Sequence, residues 1–105
     1  MSGVITVLDT KTFDKFISKD TVIVDFYADW CGPCKIMAPY FEKAASASKN
    51  VKFAKVNVDK DHEIAQRYGI MSIPTTIVFK KGEQVDMHTG VLNAEGILKL
   101  VKKYS

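Results

Sequence analysis

A chain of 105 residues, 47% hydrophobic and 26% charged, is sized and composed for one core, and we expect one domain over residues 1–105. Fifteen basic and 12 acidic residues give a net charge of +3 without a basic block; Lys80-Lys81 and Lys102-Lys103 read as solvated surface, against a nucleic-acid partner. No apolar run approaches the ~18 residues of a membrane span, and Met1-Ser2-Gly3-Val4-Ile5-Thr6-Val7 lacks the basic and apolar regions of a signal peptide, so the expected location is cytoplasmic with no membrane partner.

Val4 to Leu8 is short and β-rich and predicts a strand. Asp9 or Thr10 is placed to cap a helix in which Phe13, Phe16 and Ile17 recur at helical spacing. Val22 to Ala28 is a nearly continuous apolar run, suited to a central strand covered on both faces. A helix from Pro33 to about Ser48 follows, with Ile36, Met37, Tyr40, Phe41, Ala44 and Ala45 as its expected buried stripe. Pro33 suits the first turn, whereas Pro39 in the interior is expected to remove a hydrogen bond and kink the helix.

Val51 to Val58 predicts a third strand. Asp59 or Asp61 then starts a short helix with Ile64, Ala65 and Tyr68 inward, which Gly69 ends. Thr75 to Phe79 and Gln84 to His88 form two strands joined through Lys80-Lys81-Gly82-Glu83 as a hairpin. Asn93 caps a last helix with Ala94, Ile97, Leu98, Val101 and Tyr104 inward. Early alternation of strand and helix argues for parallel crossovers, and the late hairpin for an antiparallel pair. The fold class is α/β, one mixed five-stranded sheet flanked by four helices.

The chain's two cysteines stand in Asp29-Trp30-Cys31-Gly32-Pro33-Cys34-Lys35, where a strand hands over to a helix. A helix N-terminus offers unpaired N–H groups and a partial positive charge. A thiol there ionises more readily, and the thiolate is the nucleophile. The run therefore reads as a dithiol–disulfide exchange centre. A structural pair is the alternative. A metal site is less consistent, since it normally needs four ligands and His62 and His88 lie in other elements.

Val24-Asp25-Phe26-Tyr27-Ala28-Asp29-Trp30-Cys31-Gly32-Pro33-Cys34-Lys35, with Tyr68-Gly69-Ile70, Ile73-Pro74-Thr75, Phe79-Lys80-Lys81-Gly82 and Gly90, closely resembles the thioredoxin family, in order and spacing over essentially the whole chain. Tyr27 departs from the tryptophan of many bacterial members, and the absence of further cysteines argues against regulation by cysteines outside the motif. The resemblance implies a thioredoxin fold and a protein-disulfide reductase that carries electrons and maintains redox homeostasis without a bound cofactor or metal. It implies a separate NADPH-dependent, flavin-containing thioredoxin reductase as donor. Implied clients are disulfide-bearing proteins such as peroxiredoxins, methionine sulfoxide reductases and ribonucleotide reductase.

Cys31, nearer solvent by its place before the helix, is the expected attacking thiolate, and Cys34, further in, the resolving one. Gly32 and Pro33 shape the turn. Lys35 adds positive charge near the thiolate, or is a solvated helix lysine. Trp30 is read as partner-facing surface, with a core tryptophan as the alternative. Asp25 interrupts an apolar strand, and period-two alternation puts it beside Ile23 and Tyr27; burial then raises its pKa. The resemblance places it beneath Cys34 as a proton carrier, directly or through water. Lys55, on the Phe53 face, is a candidate partner for Asp25 or an edge lysine. The resemblance also implies a cis Ile73–Pro74 bond against the cysteines, strand-like pairing of substrate there, and an apolar rim of Trp30, Ile73, Gly90 and Val91. A monomer is expected. A second reading, a binding module that docks partners on the same rim without redox turnover, stays open at this point.

Overall fold

β-branched and aromatic residues build the interior strands, and β2 (Thr21–Tyr27) is buried along nearly its whole length. The computed structural model describes residues 4–105. Met1, Ser2 and Gly3, which begin the expected 1–105 domain and the stretch weighed for a leader, lie outside the described residues. Around β2 the chain runs β1 (Ile5–Leu8), α1 (Phe13–Ile17), β2, α2 (Gly32–Ala47), β3 (Lys52–Asn57), α3 (His62–Arg67), β4 (Thr75–Lys80), β5 (Glu83–Thr89) and α4 (Ala94–Tyr104). The five strands form one sheet in the order β1-β3-β2-β4-β5. β3 pairs parallel with β1 and β2, and β4 pairs antiparallel with β2 and β5.

One sheet face carries Val22, Val24 and Phe26 against Phe13 and Ile17 of α1 and Ile64 of α3. The other carries Ile23, Phe53 and Val78 against Met37 and Phe41 of α2 and Ile97 of α4. With helices on both faces, β2 has no solvent side, which is why its sequence reads as a continuous apolar run. Phe13 anchors the first layer, its ring centroid 5.6 Å from that of Phe79 and 5.7 Å from that of Tyr68.

Several local readings need correction. α1 begins after Thr12 and not at Asp9 or Thr10. Asp9 instead closes the preceding turn, its carboxylate accepting from the N–H groups of Lys11 and Thr12 at 2.9 Å each. Ile36 and Tyr40 are exposed, while Cys34, Met37, Phe41, Ala44 and Ala45 are buried, so the inward stripe of α2 is narrower than its apolar content. Pro39 lies inside α2 and, having no N–H, leaves the Lys35 carbonyl without its helical donor, as the sequence implies.

Asp61 precedes α3 without a side-chain cap bond. α3 ends where Gly69 N–H donates to Gln66 O (3.1 Å) and Ile70 N–H to Ala65 O (2.9 Å). That bonding pattern packs Ile70 back onto the core. The β4–β5 turn puts Lys81 and Gly82 at φ 50° and 85°, the positive pair that a two-residue hairpin turn requires. Asn93 caps α4 as expected, accepting from Gly96 N–H at 2.8 Å. No helix among the described residues is long and apolar enough to cross a membrane.

Parallel β2 and β3 finish at the same end of the sheet, where antiparallel β4 starts and β5 ends. The segments after β2 and β3, before β4 and after β5 therefore converge there.

Candidate active site

Cys31 is the N-cap of α2, in extended conformation, and its Sγ accepts from the Cys34 N–H at 3.2 Å. An N-cap sulfur so placed feels both an orphan backbone donor and the positive end of the helix, which lowers the cost of a thiolate. Cys31 and Cys34 are joined as a disulfide, with Cα atoms 5.2 Å apart. Spacing did not separate them by depth: Cys31 is 3% and Cys34 4% exposed, which corrects the expectation that Cys31 lies nearer solvent.

What separates the cysteines is the depression each one borders. Cys31 lines an apolar groove of about 490 Å³ with Trp30, Val58, Ile70, Met71 and Ile73. Cys34 lines a smaller cleft of about 170 Å³ with Asp25, Tyr27, Lys35, Glu42 and Lys55. One sulfur thus borders an apolar groove, and the other borders the titratable groups.

At the groove, Trp30 is 69% exposed, so it is not a core tryptophan. Its indole N–H donates to Asp59 Oδ2 at 2.7 Å. Asp59 is steadied in turn by its backbone N–H donating to Asn57 Oδ1 at 2.9 Å. Ile73 precedes Pro74 through a cis peptide bond, and its carbonyl oxygen lies 3.8 Å from Cys31 Sγ. Thr75 Oγ1 donates to Ser72 O at 2.6 Å and closes this turn.

Gly90 N–H donates to Pro74 O at 2.8 Å. Its φ of 106° is a conformation that L side chains rarely adopt, and that angle brings the end of β5 beneath Pro74. Val91 is exposed next to it, but neither Gly90 nor Val91 lines the groove. The space beside Gly32 is open, since a Cβ there would meet nothing within 4 Å.

At the cleft, Asp25 is 4% exposed, and its Oδ1 has no hydrogen-bond partner among the described residues. Burial pushes the Asp25 carboxyl up to about 7, and the Lys55 charge opposes the rise. Lys55 stands opposite Asp25 in the β2–β3 register. Its ammonium lies over the Tyr27 ring, 5.1 Å from the centroid, and no Asp25–Lys55 ion pair occurs within 4 Å among the described residues. Lys35 is exposed and borders the Cys34 cleft and not the Cys31 groove. Among the described residues, no group of three or more His, Cys, Asp or Glu side chains is placed to hold a metal ion.

Sequence reasoning missed Val58, Ile70 and Met71 as groove walls and Asp59 as the anchor of Trp30. Met71 is 96% exposed, and its position between two recognised motif segments was the available signal. Asp59 carried none, because its partner is 29 residues away.

The chain matches the thioredoxin family model over residues 4–103. It is 37% identical to a thioredoxin of Chlamydia caviae over 96% of this chain and 99% of that one. It is 48% identical to a thioredoxin of Mycoplasma pneumoniae over 84% and 86%. A solved structure of Plasmodium falciparum thioredoxin superposes with a TM-score of 0.89 at 38% identity, covering 96% of this chain and all of that one. With the Cys31–Cys34 pair at the N-terminus of α2 and this likeness along nearly its whole length, the chain belongs to the thioredoxin family of thiol–disulfide oxidoreductases.

Proposed function

We propose that the chain reduces protein disulfides by a two-step exchange with divided roles, Cys31 attacking and Cys34 resolving. The carrying observation is that Cys31 borders the apolar groove while Cys34 borders the Asp25 cleft. A client chain lies in the groove against Trp30, Met71 and the Ile73 backbone, with Gly90 and Val91 beyond Pro74. The Cys31 thiolate attacks one client sulfur; the client disulfide breaks, a mixed disulfide forms and one client thiolate leaves. The Asp25 carboxylate takes the Cys34 proton. The Cys34 thiolate then attacks Cys31 Sγ, which forms the internal disulfide and releases the second client thiolate. Two electrons pass to the client, and the active site ends as the disulfide seen here.

Gly32 and Pro33 keep the approach to Cys31 low, and Lys35 and Lys55 set the field around Cys34 and Asp25. Reduction of the Cys31–Cys34 disulfide requires a two-electron donor, for which an NADPH-dependent flavoprotein reductase is the family's solution. Peroxiredoxins, methionine sulfoxide reductases and ribonucleotide reductase are candidate clients of the same chemistry. The chain acts as a monomer, a single domain over residues 1–105, in a reducing compartment such as the cytoplasm.

The test is reduction of a protein interchain disulfide with NADPH and a thioredoxin reductase. Turnover that disappears in Cys31→Ser supports the reading. Equal biological activity in the Cys31→Ser, Cys34→Ser double variant would overturn it in favour of a docking module.

A further inference from the structure

Thr76 on β4 stands directly opposite Asp25 on β2. Directly opposed side chains of an antiparallel pair leave the same sheet face, with Cβ atoms about 4.5–5.5 Å apart. Both therefore point to the α2 side. Thr76 is 0% exposed, and its Oγ1 has no hydrogen-bond partner among the described residues; Asp25 Oδ1 is in the same condition. Among the described residues these are the two buried side-chain oxygens left unpaired, and the register makes them neighbours. An unpaired buried hydroxyl destabilises the fold, and valine would fill the same volume without that cost. The two are neighbours without a direct bond, and one bridging water, accepting from the hydroxyl and donating to the carboxylate, would resolve both deficits.

We propose that Thr76 is a positioning residue for the proton step at Cys34, its hydroxyl donating to the Asp25 carboxylate through one internal water. The inference rests on the reading of Asp25 as proton acceptor. Thr76 supports the ionised carboxyl from the β4 side, opposite Lys55 on β3. The other groups facing that carboxyl are Cys34, Lys35 and Glu42 from α2, Asp29 from the preceding loop and Tyr27 from β2 itself. His88 on β5 stands opposite Thr76. Thr76→Val leaves all of these in place.

The experiment follows the Asp25 carboxyl by carbon NMR against pH, and the pH profile of the resolution rate, in wild type, Thr76→Val and Thr76→Ser. Loss of a donor to the ionised form raises the carboxyl midpoint, by about one pH unit for a charge-assisted bond. The resolution profile moves alkaline by the same amount, and Thr76→Ser returns both to wild-type values. A purely structural threonine would change stability and leave both midpoints in place, which would overturn the proposal. If Thr76→Val does not fold, Thr76→Ala against Thr76→Ser gives the same comparison. If Asp25→Asn leaves resolution unchanged while Thr76→Val still moves the carboxyl midpoint, the contact stands and the proton role of Asp25 falls. If Asp25→Asn slows resolution and Thr76→Val moves nothing, the Thr76 assignment alone falls.

Discussion

Replacing Asp25 by asparagine should stabilise the oxidised protein, and by an amount that depends on pH in a specified way. Asp25 is 4% exposed, and burial carries its carboxyl from an ordinary 3.8 to about 7. Between those values the folded state holds a proton that the unfolded chain has released. The folded state binds more protons, so stability falls as pH rises. The loss begins near pH 4, is complete somewhat above pH 7, and then levels off. Each pKa unit corresponds to 1.36 kcal/mol, so the penalty at its plateau is about 4 kcal/mol. Asparagine keeps the shape and removes the titration. Guanidinium unfolding of both proteins from pH 4 to pH 8.5 gives the difference directly. We expect the variant's advantage to grow by about 4 kcal/mol over that interval. A stability difference that is flat with pH would refute the buried, proton-retaining Asp25 on which the proton step depends.

Removing the charge that opposes this rise, in Lys55→Met, should lift the Asp25 midpoint above about 7 and extend the window of falling stability to higher pH; the same NMR titration checks the direction. Asp59→Ala frees the Trp30 indole. The lost bond, about 1 kcal/mol, should lower kcat/KM for a protein disulfide roughly fivefold and spare a small aromatic disulfide, a split that steady-state kinetics on both substrates reads. Asn93→Ala removes the α4 cap and should cost about 1 kcal/mol in denaturant unfolding with no effect on turnover.

The strand and helix order was legible because period and turn chemistry agree along the chain: Asn93 before an amphipathic run, Lys81-Gly82 between two β-rich runs, Gly69 after a helical one. Asp25 was legible for a different reason. A carboxylate inside an apolar strand has few explanations, and the register confirms the burial that alternation implies. Reading failed where several apolar residues compete for one helix face. Ile36 and Tyr40 keep helical spacing but fall on the flank of α2 that no strand covers. It also failed where contacts are made by convergence: Val58, Ile70 and Met71 come from two loops that only the sheet order brings to Cys31. The Lys55 reading was half right, since register puts it opposite Asp25 while its ammonium settles over Tyr27.

The division of labour between the cysteines is tested most directly by trapping. Reduced Cys34→Ser and Cys31→Ser proteins are each mixed with a disulfide-bonded client, and covalent adducts are located by mass spectrometry. The account predicts a persistent mixed disulfide on Cys31 in the Cys34→Ser protein and little or none on Cys34 in the Cys31→Ser protein. Adducts forming on Cys34 as fast as on Cys31 would contradict it.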